Sequence, residues 1–368
     1  MKINNRTFFL FITIVIIISG QCKNDDSPTK PPAIVLPDTT SHDFAWQVEI
    51  LGDGNSSRLN DVCIIDENDV WAVGRICLQD STGEFIYPPY GAARWNGSTW
   101  ELKKLKTKAL NYDTYLNPLG VFAFNPEDIW FAHGGIHHFN GQNINSYWVN
   151  WFPGNENAIL DSGQSIDKIW GQSSLNLWAV GRQGAIIHYN GSSWQKIESG
   201  TDLDIQDIWG GTDPITGEDI ILAVAGNIYT TYDKEILKIN GTTVAKLTTE
   251  GIDWPLDAVW FDPGQIYYVV GAGIYSKKSL DNTVSWNGPG LTATSYSSYA
   301  IRGNYINDVF VTGAFGDVLH FNGNSWRSYR EHTALLAGSY RAVAVKGDLM
   351  FAVGSEYDKA VILRGKRK

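Results

Sequence analysis

The stretch Asp69-Val70-Trp71-Ala72-Val73-Gly74 returns six times along the chain. Its clear copies are Asp128-Ile129-Trp130-Phe131-Ala132-His133-Gly134, Asn176-Leu177-Trp178-Ala179-Val180-Gly181 and Asp308-Val309-Phe310-Val311-Thr312-Gly313, and weaker copies end at Gly226, Gly271 and Gly354. The closing glycines are therefore separated by 60, 47, 45, 45, 42 and 41 residues. A period of about 45 residues is typical of a four-stranded propeller blade. Seven copies predict seven blades.

A hairpin follows each clear copy. Ile187-His188-Tyr189-Asn190-Gly191-Ser192-Ser193-Trp194 matches Leu319-His320-Phe321-Asn322-Gly323-Asn324-Ser325-Trp326 and Arg94-Trp95-Asn96-Gly97-Ser98-Thr99-Trp100. Asn-Gly supplies two residues that tolerate positive φ, which a type I′ turn requires. Because one more strand precedes each copy, every repeat contains four strands, named A to D in chain order.

The last repeat supplies strands A, B and C between Ser339 and Arg364, and no strand D follows them. The stretch from Phe44 to Ile50 precedes the first complete repeat and reads like the strand D at Ser193–Ile197. An N-terminal strand that completes the C-terminal sheet closes the ring and removes an open sheet edge. The sequence predicts an all-β fold, a seven-bladed β-propeller closed by an N-terminal strand, over residues 42–368.

The composition agrees with short strands and tight turns, since the chain holds 37 Gly and 15 Trp but only 2 Met. Its formal charge is −10 at pH 7. Proteins that bind nucleic acid or anionic membrane surfaces need clustered Lys and Arg. The charge therefore argues against both classes, and we expect no nucleic-acid partner.

The first 22 residues are typical of an export signal. Lys2 and Arg6 precede the apolar run from Phe8 to Ile18, which is too short for a membrane span. Ser19-Gly20-Gln21-Cys22 resembles a lipoprotein lipobox, which implies a signal peptide at 1–21 and lipidation of Cys22. Residues 22–41 contain four prolines and predict a solvated tether. A plain secretory signal is the alternative.

The stretch Lys23-Asn24-Asp25-Asp26 resembles the acidic segment that sends some Gram-negative lipoproteins to the cell surface. The repeats themselves resemble the propeller repeats of bacterial surface lipoproteins. This resemblance implies a lipid-anchored protein of the cell outer membrane, exposed at the surface, and a binding platform more than an enzyme. The sialidase aspartate box, Ser-x-Asp-x-Gly-x-x-Trp, is absent from the hairpins, which argues against a sialidase.

Several chemically suggestive side chains recur at one repeat position. His138, His188 and His320 precede the aromatic residue of an Asn-Gly hairpin, and Arg94 and Lys238 occupy the same position in other blades. Equivalent positions lie far apart around a ring, so these residues cannot share a metal ion. We predict structural roles for them, and we expect no metal site and no cofactor.

Cys63 and Cys77 are the two cysteines outside the signal region. An antiparallel turn at Asp66–Asp69 places Cys63 opposite about position 72 rather than 77. This register argues against a disulfide between them, although an oxidising compartment permits one.

Long insertions fall almost entirely in the B–C and D–A connections, which share one face of the disc. They lie at 75–91, 106–117, 150–165, 227–235, 287–298 and 330–339, with 212–218 as a modest exception. Insertions on one face of a repeat protein mark its binding face. The predicted binding residues are the aromatic residues of these connections, Tyr87, Tyr90, Tyr112, Trp151, Phe152, Tyr232, Trp254, Tyr296 and Tyr299. The alternative is that these rings pack against their own loops.

Known catalytic motifs such as a Walker loop or a Gly-x-Ser-x-Gly elbow are absent. The sequence therefore predicts a monomeric interaction module that binds a glycan or an envelope protein. A carbohydrate-active enzyme, either a glycoside hydrolase or a glucosyltransferase-like protein, is the alternative, and a scaffold without a small-molecule ligand is a third reading. The enzyme would use two of the loop carboxylates Glu84, Asp113, Glu156, Asp161, Asp202, Asp253 and Glu331.

Overall fold

A computed structural model describes residues 38–109, 112–227 and 233–368. Within these ranges the chain forms seven antiparallel four-stranded sheets, one two-stranded hairpin and the short helix α1 (Arg330–Thr333). Cys22 and Tyr232 lie outside the described residues, so the predictions made for them are unchanged. Among the described residues, no helix has the length and apolar character needed to cross a membrane.

The N-terminal strand is β1 (Phe44–Leu51). Blade 1 contains β2 (Arg58–Asp66), β3 (Asp69–Ile76), β4 (Tyr90–Trp95) and β5 (Trp100–Lys103). The inserted hairpin contains β6 (Leu105–Ala109) and β7 (Tyr112–Leu116). Blade 2 contains β8 (Gly120–Asn125), β9 (Asp128–His133), β10 (Gly135–Phe139) and β11 (Ile144–Tyr147). Blade 3 contains β12 (Ser165–Ser173), β13 (Asn176–Arg182), β14 (Ile186–Tyr189) and β15 (Trp194–Ile197).

Blade 4 contains β16 (Ile205–Thr212), β17 (Asp219–Gly226), β18 (Lys234–Asn240) and β19 (Thr243–Leu247). Blade 5 contains β20 (Leu256–Asp262), β21 (Ile266–Gly271), β22 (Gly273–Lys277) and β23 (Asn287–Gly290). Blade 6 contains β24 (Ser298–Tyr305), β25 (Asp308–Gly313), β26 (Val318–Phe321) and β27 (Trp326–Ser328). Blade 7 contains β28 (Gly338–Lys346), β29 (Leu349–Glu356), β30 (Lys359–Arg367) and β1.

The seven sheets form a closed ring, which confirms the predicted seven-bladed propeller. Each strand A contacts the strands A of the two adjacent blades, in the order β2, β8, β12, β16, β20, β24, β28 and back to β2. Strands A therefore surround the central channel. The predicted closure is also confirmed, because β1 pairs with β30 along its whole length and Trp46 lies opposite Gly365.

Tryptophans of strand A join neighbouring blades. Trp170 of blade 3 lies against Gly210 of blade 4, where an added Cβ would come within 2.4 Å of the ring, and Trp260 packs on Gly303 in the same way. Both tryptophans are buried. A buried Trp removes roughly 200 Å² from water, worth at most about 5 kcal/mol. Packing between blades is thus the main role of these rings.

The repeated hairpin position has the structural role predicted for it. His138 binds Asp128 at 2.8 Å and His320 binds Asp308 at 2.9 Å, and each imidazole stacks on the ring of strand B, with centroids 4.0 Å from Trp130 and 4.4 Å from Phe310. The other members behave alike, as Arg94 binds Asp69, His188 binds Asn176 and Lys238 binds Glu218. These pairs fix strand C to strand B within each blade.

His137 points to the other face of its strand and is fully buried, bound to Ser146 Oγ at 2.7 Å. Burial lowers the pKa of His137 to about 3. The described residues contain no group of three or more His, Cys, Asp or Glu side chains placed to bind a metal. Cys63 lies opposite Trp71, one residue from the predicted position, and both Cys63 and Cys77 are free.

Candidate functional site at the mouth of the channel

The two faces of the disc differ as the loop lengths predict. Strands A begin at the face that carries the B–C and D–A connections, which we call the long-loop face. The opposite face carries the A–B and C–D turns, most of them two to four residues long, and we call it the short-turn face. There are two exceptions, the connection between β16 and β17 at residues 213–218 and the connection between β22 and β23 at residues 278–286. The second is longer than predicted, because strand D of blade 5 begins only at Asn287.

A β-bulge interrupts strand A near the long-loop face in six of the seven blades. In each case the pairing with strand B skips one residue, and the skipped residues are Asn60, Asp167, Gln206, Asp257, Tyr299 and Arg341. A bulge leaves its extra residue unpaired and turns its side chain away from the regular direction. Leu119 holds the matching position in blade 2, immediately before β8.

Most of the bulge residues line one cavity at the channel mouth, which we call the mouth cavity. Its volume is about 730 Å³, and its walls include Asp167, Gln206, Asp257, Tyr299 and Arg341. Arg182, Asp202 and Asp204, from the connections around blades 3 and 4, form one side of its rim. A narrower space of about 150 Å³ continues below among the strands A. The repeat therefore places seven variable positions around one polar opening.

An ion pair closes the floor of this opening. Arg302 of blade 6 reaches across the channel and donates to both oxygens of Asp207 of blade 4, at 2.8 and 2.9 Å. Its guanidinium also lies over Trp209, 4.8 Å from the ring centroid. Arg302 stands three residues after its bulge, at the position that holds Trp170, Trp209 and Trp260 in the three preceding blades. One substitution in the repeat thus builds a strut across the channel.

Two aspartates beside the floor join adjacent blades. Asp207 accepts the backbone N–H of Val259 in the next blade at 3.1 Å, and Asp61 accepts that of Val121 at 3.1 Å. Lys168 Nζ lies 3.1 Å from Asp61 Oδ1. The charges of the floor are therefore paired, and the carboxylates also hold the strands A together.

The carboxyl groups in the walls of the mouth cavity are paired with positive charge less completely than those of the floor. Burial raises the pKa of Asp257 to about 7, although Arg341 opposes the shift. Burial also raises the pKa of Asp167, whose carboxylate is 3.2 Å from Arg182 Nε, and its second oxygen has no hydrogen-bond partner among the described residues. Arg341 supplies positive charge at the blade 7 side of the opening.

The aromatic residues predicted to bind a partner do not form one cluster. Tyr87 and Tyr112 are almost fully exposed, and Trp151 and Trp254 are partly exposed, but these four lie on connections of different blades. The others are half-buried against their surroundings: Tyr90 under Lys104, Phe152 beside Trp148, Tyr296 between Phe315 and Arg330, and Tyr299 under Arg341. Of the members of this set that the structure describes, only Tyr299 lines the mouth cavity.

The loop carboxylates are similarly dispersed. Asp113 binds Lys106, Asp161 binds Lys196 and Glu331 lies near Arg327. Glu84, Glu156 and Asp253 are exposed on separate connections, and only Asp202 reaches the mouth cavity. The carboxyl groups that do converge there, Asp167 and Asp257, sit on strands and were missed. An alignment of the seven repeats would have pointed to them, because they occupy a column near the start of strand A whose residue differs from blade to blade.

No family model and no curated protein matches this chain. Solved propeller structures do match it. A structure described as YCF48 bound to D1 peptide is 16% identical, with a TM-score of 0.59 over 88% of this chain and 97% of the other. The WD40 propeller domain of Doa1 is 12% identical, with a TM-score of 0.60 over 88% and 97%. Virginiamycin B lyase from Staphylococcus aureus is 12% identical, with a TM-score of 0.58 over 87% and 99%. These likenesses show that the fold is a β-propeller.

Proposed function

We propose that this protein is a lipid-anchored binding module of the outer membrane whose mouth cavity takes a segment of a partner polypeptide. The observation that carries the proposal is the cavity itself, in which the bulge residues of strands A meet around one opening. Its volume falls in the range of typical ligand sites, about 300 to 1,000 Å³. Aspartates line the cavity at blades 3 and 4, and Arg341 lines it at blade 7. This arrangement suits a polypeptide that carries both basic and acidic side chains.

A polypeptide fits this cavity better than a glycan. Sugar rings bind well to exposed aromatic faces, but Tyr299 is the single aromatic residue that lines the described part of the cavity, and a guanidinium covers it. Charged side chains and backbone groups of a peptide can instead pair with Arg182, Asp202 and Arg341. The similar structure of YCF48 with a D1 peptide supports the same choice.

The position of the tether supports a surface role. Residues 38–43 lie against the short-turn face, where Thr40 N donates to Asn322 O at 3.0 Å and Thr40 Oγ1 donates to Asn307 O at 2.6 Å. The described chain therefore enters the propeller at the face opposite the mouth cavity. Fifteen residues lie between Cys22 and Asp38, and a fully extended polyproline chain of that length spans about 50 Å. This reach leaves room for a partner above the membrane.

The proposal is tested by panning a phage-displayed library of random linear peptides on the purified full chain. The strongest enriched peptide is then titrated against Arg341→Met, Arg182→Met and the control Lys366→Met, which removes an exposed charge near the short-turn face. We expect the first two variants to raise the Kd about tenfold or more, about 1.4 kcal/mol, and the control to leave it unchanged. Equal affinity in all three, or binding on a glycan array without peptide enrichment, would contradict the proposal.

A carbohydrate-active enzyme is the second candidate, and the observation that favours it is the pair Asp167 and Asp257. Both have a raised pKa and both line the mouth cavity. A carboxyl group that keeps its proton near neutral pH can act as a general acid. Release of reducing sugar from a polysaccharide panel, abolished by Asp257→Asn, would establish this function in place of binding alone.

A further inference from the structure

Four apolar side chains lie on adjoining connections at the long-loop face of blades 6 and 7. Phe315 is 43% exposed, Leu336 83% and Tyr357 68%, and Tyr296 stacks on Phe315 with centroids 5.1 Å apart. We call these residues the blade 6–7 patch. Solvent-facing apolar groups that lie together in this way are more informative than isolated ones.

Backbone contacts hold the patch together. Phe315 N donates to Gly338 O at 2.8 Å, and Leu335 N donates to Phe315 O at 3.1 Å. Leu336 N donates to Glu356 Oε1 at 2.7 Å, next to Tyr357. The turn of blade 6, the connection to blade 7 and the turn of blade 7 therefore present their side chains as one surface.

The backbone at the two aromatic turn residues is unusual. Phe315 and Tyr357 adopt φ values of 56° and 51°, in the left-handed region. Large side chains are rare there, and the first position of such a turn favours Asn, Asp or Gly. Gln183 holds the equivalent position in blade 3 with φ 52°. Folding alone thus disfavours the rings at positions 315 and 357, and strain of this kind clusters at binding sites.

One arginine borders the patch, and a second lies between the patch and the mouth cavity. Arg330 lies over Tyr296, 4.5 Å from the centroid, and Arg341 lies over Tyr299 at 5.3 Å. Neither guanidinium has a carboxylate within 4.0 Å in the part of the chain that the structure describes. Tyr299 and Arg341 line the mouth cavity, and they lie three residues along the chain from Tyr296 and Gly338 respectively, so the same two segments run from the patch to the edge of the cavity. Apolar groups flanked by cations are complementary to apolar groups flanked by anions.

We propose that the blade 6–7 patch is the anchor site for an extended polypeptide segment that carries an aromatic or aliphatic side chain beside acidic residues. The apolar side chain packs on Phe315, Leu336 and Tyr357, and the acidic side chains pair with Arg330 and Arg341. The segment then continues into the mouth cavity. This inference rests on the proposed function and specifies the chemistry of its partner.

The test uses Phe315→Asn and Tyr357→Asn, with Gln183→Asn as the matched control at the same turn position of blade 3. Asn suits the left-handed backbone, so we expect all three variants to keep or raise the Tm of the full chain. The probe is the peptide most enriched by the library selection described above. We expect it to be acidic with an apolar residue, and we expect Phe315→Asn and Tyr357→Asn each to weaken its binding at least tenfold while Gln183→Asn does not.

The failures of the two proposals are distinguishable. A peptide whose binding depends on Arg182 but not on Phe315 or Tyr357 would overturn the anchor site and leave the mouth cavity in place. Enrichment of basic peptides, or of peptides without an apolar residue, would likewise overturn the anchor site. Binding that none of these substitutions changes would overturn both.

Discussion

Replacing Arg302 with methionine removes the strut that closes the floor of the mouth cavity. The methionine keeps most of the packing on Trp209 but leaves the carboxylate of Asp207, which is 4% exposed, with the N–H of Val259 as its remaining close donor. Removing one partner of a buried ion pair costs about 3 to 5 kcal/mol, because the other charge stays buried without compensation. We expect the free energy of unfolding to fall by that amount.

The assay is urea unfolding followed by tryptophan fluorescence, and the informative comparison is with Asp207→Asn and with the double variant. Asn keeps an acceptor for Val259 N but carries no charge, so the double variant buries no unpaired ion. We expect it to lose at least about 2 kcal/mol less than the sum of the two single variants. The stabilising role of this ion pair would be refuted if Arg302→Met lowered the free energy of unfolding by less than about 1 kcal/mol, or if the losses of the two single variants were strictly additive in the double variant.

Three further predictions concern His42 next to the closing strand, the contact between blades 3 and 4, and the lipidation of Cys22. The pKa of His42 is lowered to about 4 by burial and by the charges of His320, Arg327 and Arg367, so the unfolded chain binds more protons than the folded chain between pH 6.5 and 4. The urea midpoint should therefore fall as the pH is lowered across this range, and it should fall less steeply in His42→Gln. Equal slopes in the two proteins would contradict this prediction. Gly210→Ala places a Cβ about 2.4 Å from Trp170 and should cost about 1 to 3 kcal/mol, partly recovered by Trp170→Leu, and an unchanged midpoint would argue against this contact. Cys22→Ala should abolish labelling by radioactive palmitate and release the protein from membranes; retained label would exclude Cys22 as the lipidated residue.

The repeat made the architecture predictable because the sequence of each blade has the same pattern of turns and buried strands. Gly74 and its six counterparts predicted the number of blades, and the stretch around Trp46 predicted the strand that closes the ring. The same logic assigned His138 and its equivalents to packing, since a position repeated around a ring cannot build one site.

The site was harder to predict because it depends on departures from the repeat. Whether Tyr87 or Trp151 meets another aromatic residue depends on loop conformations that no periodic pattern constrains, and the structure keeps them apart. The bulge at Asp257 could not be read from alternation alone, since a bulge is a local shift between two strands. Arg302, however, was visible as the one charged residue in a repeat column that holds tryptophan in the three preceding blades.

The most direct test of partner binding at the channel mouth is hydrogen exchange of the full chain, measured by mass spectrometry with and without the enriched peptide. We predict slower exchange in the segments that carry the bulges, at 205–207, 256–258 and 340–342, and in the turns at 314–317 and 356–359. The A–B turns at 173–176 and 305–308, on the short-turn face, should exchange at the same rate in both samples. Slowing at those A–B turns, or at none of these segments, would contradict the account.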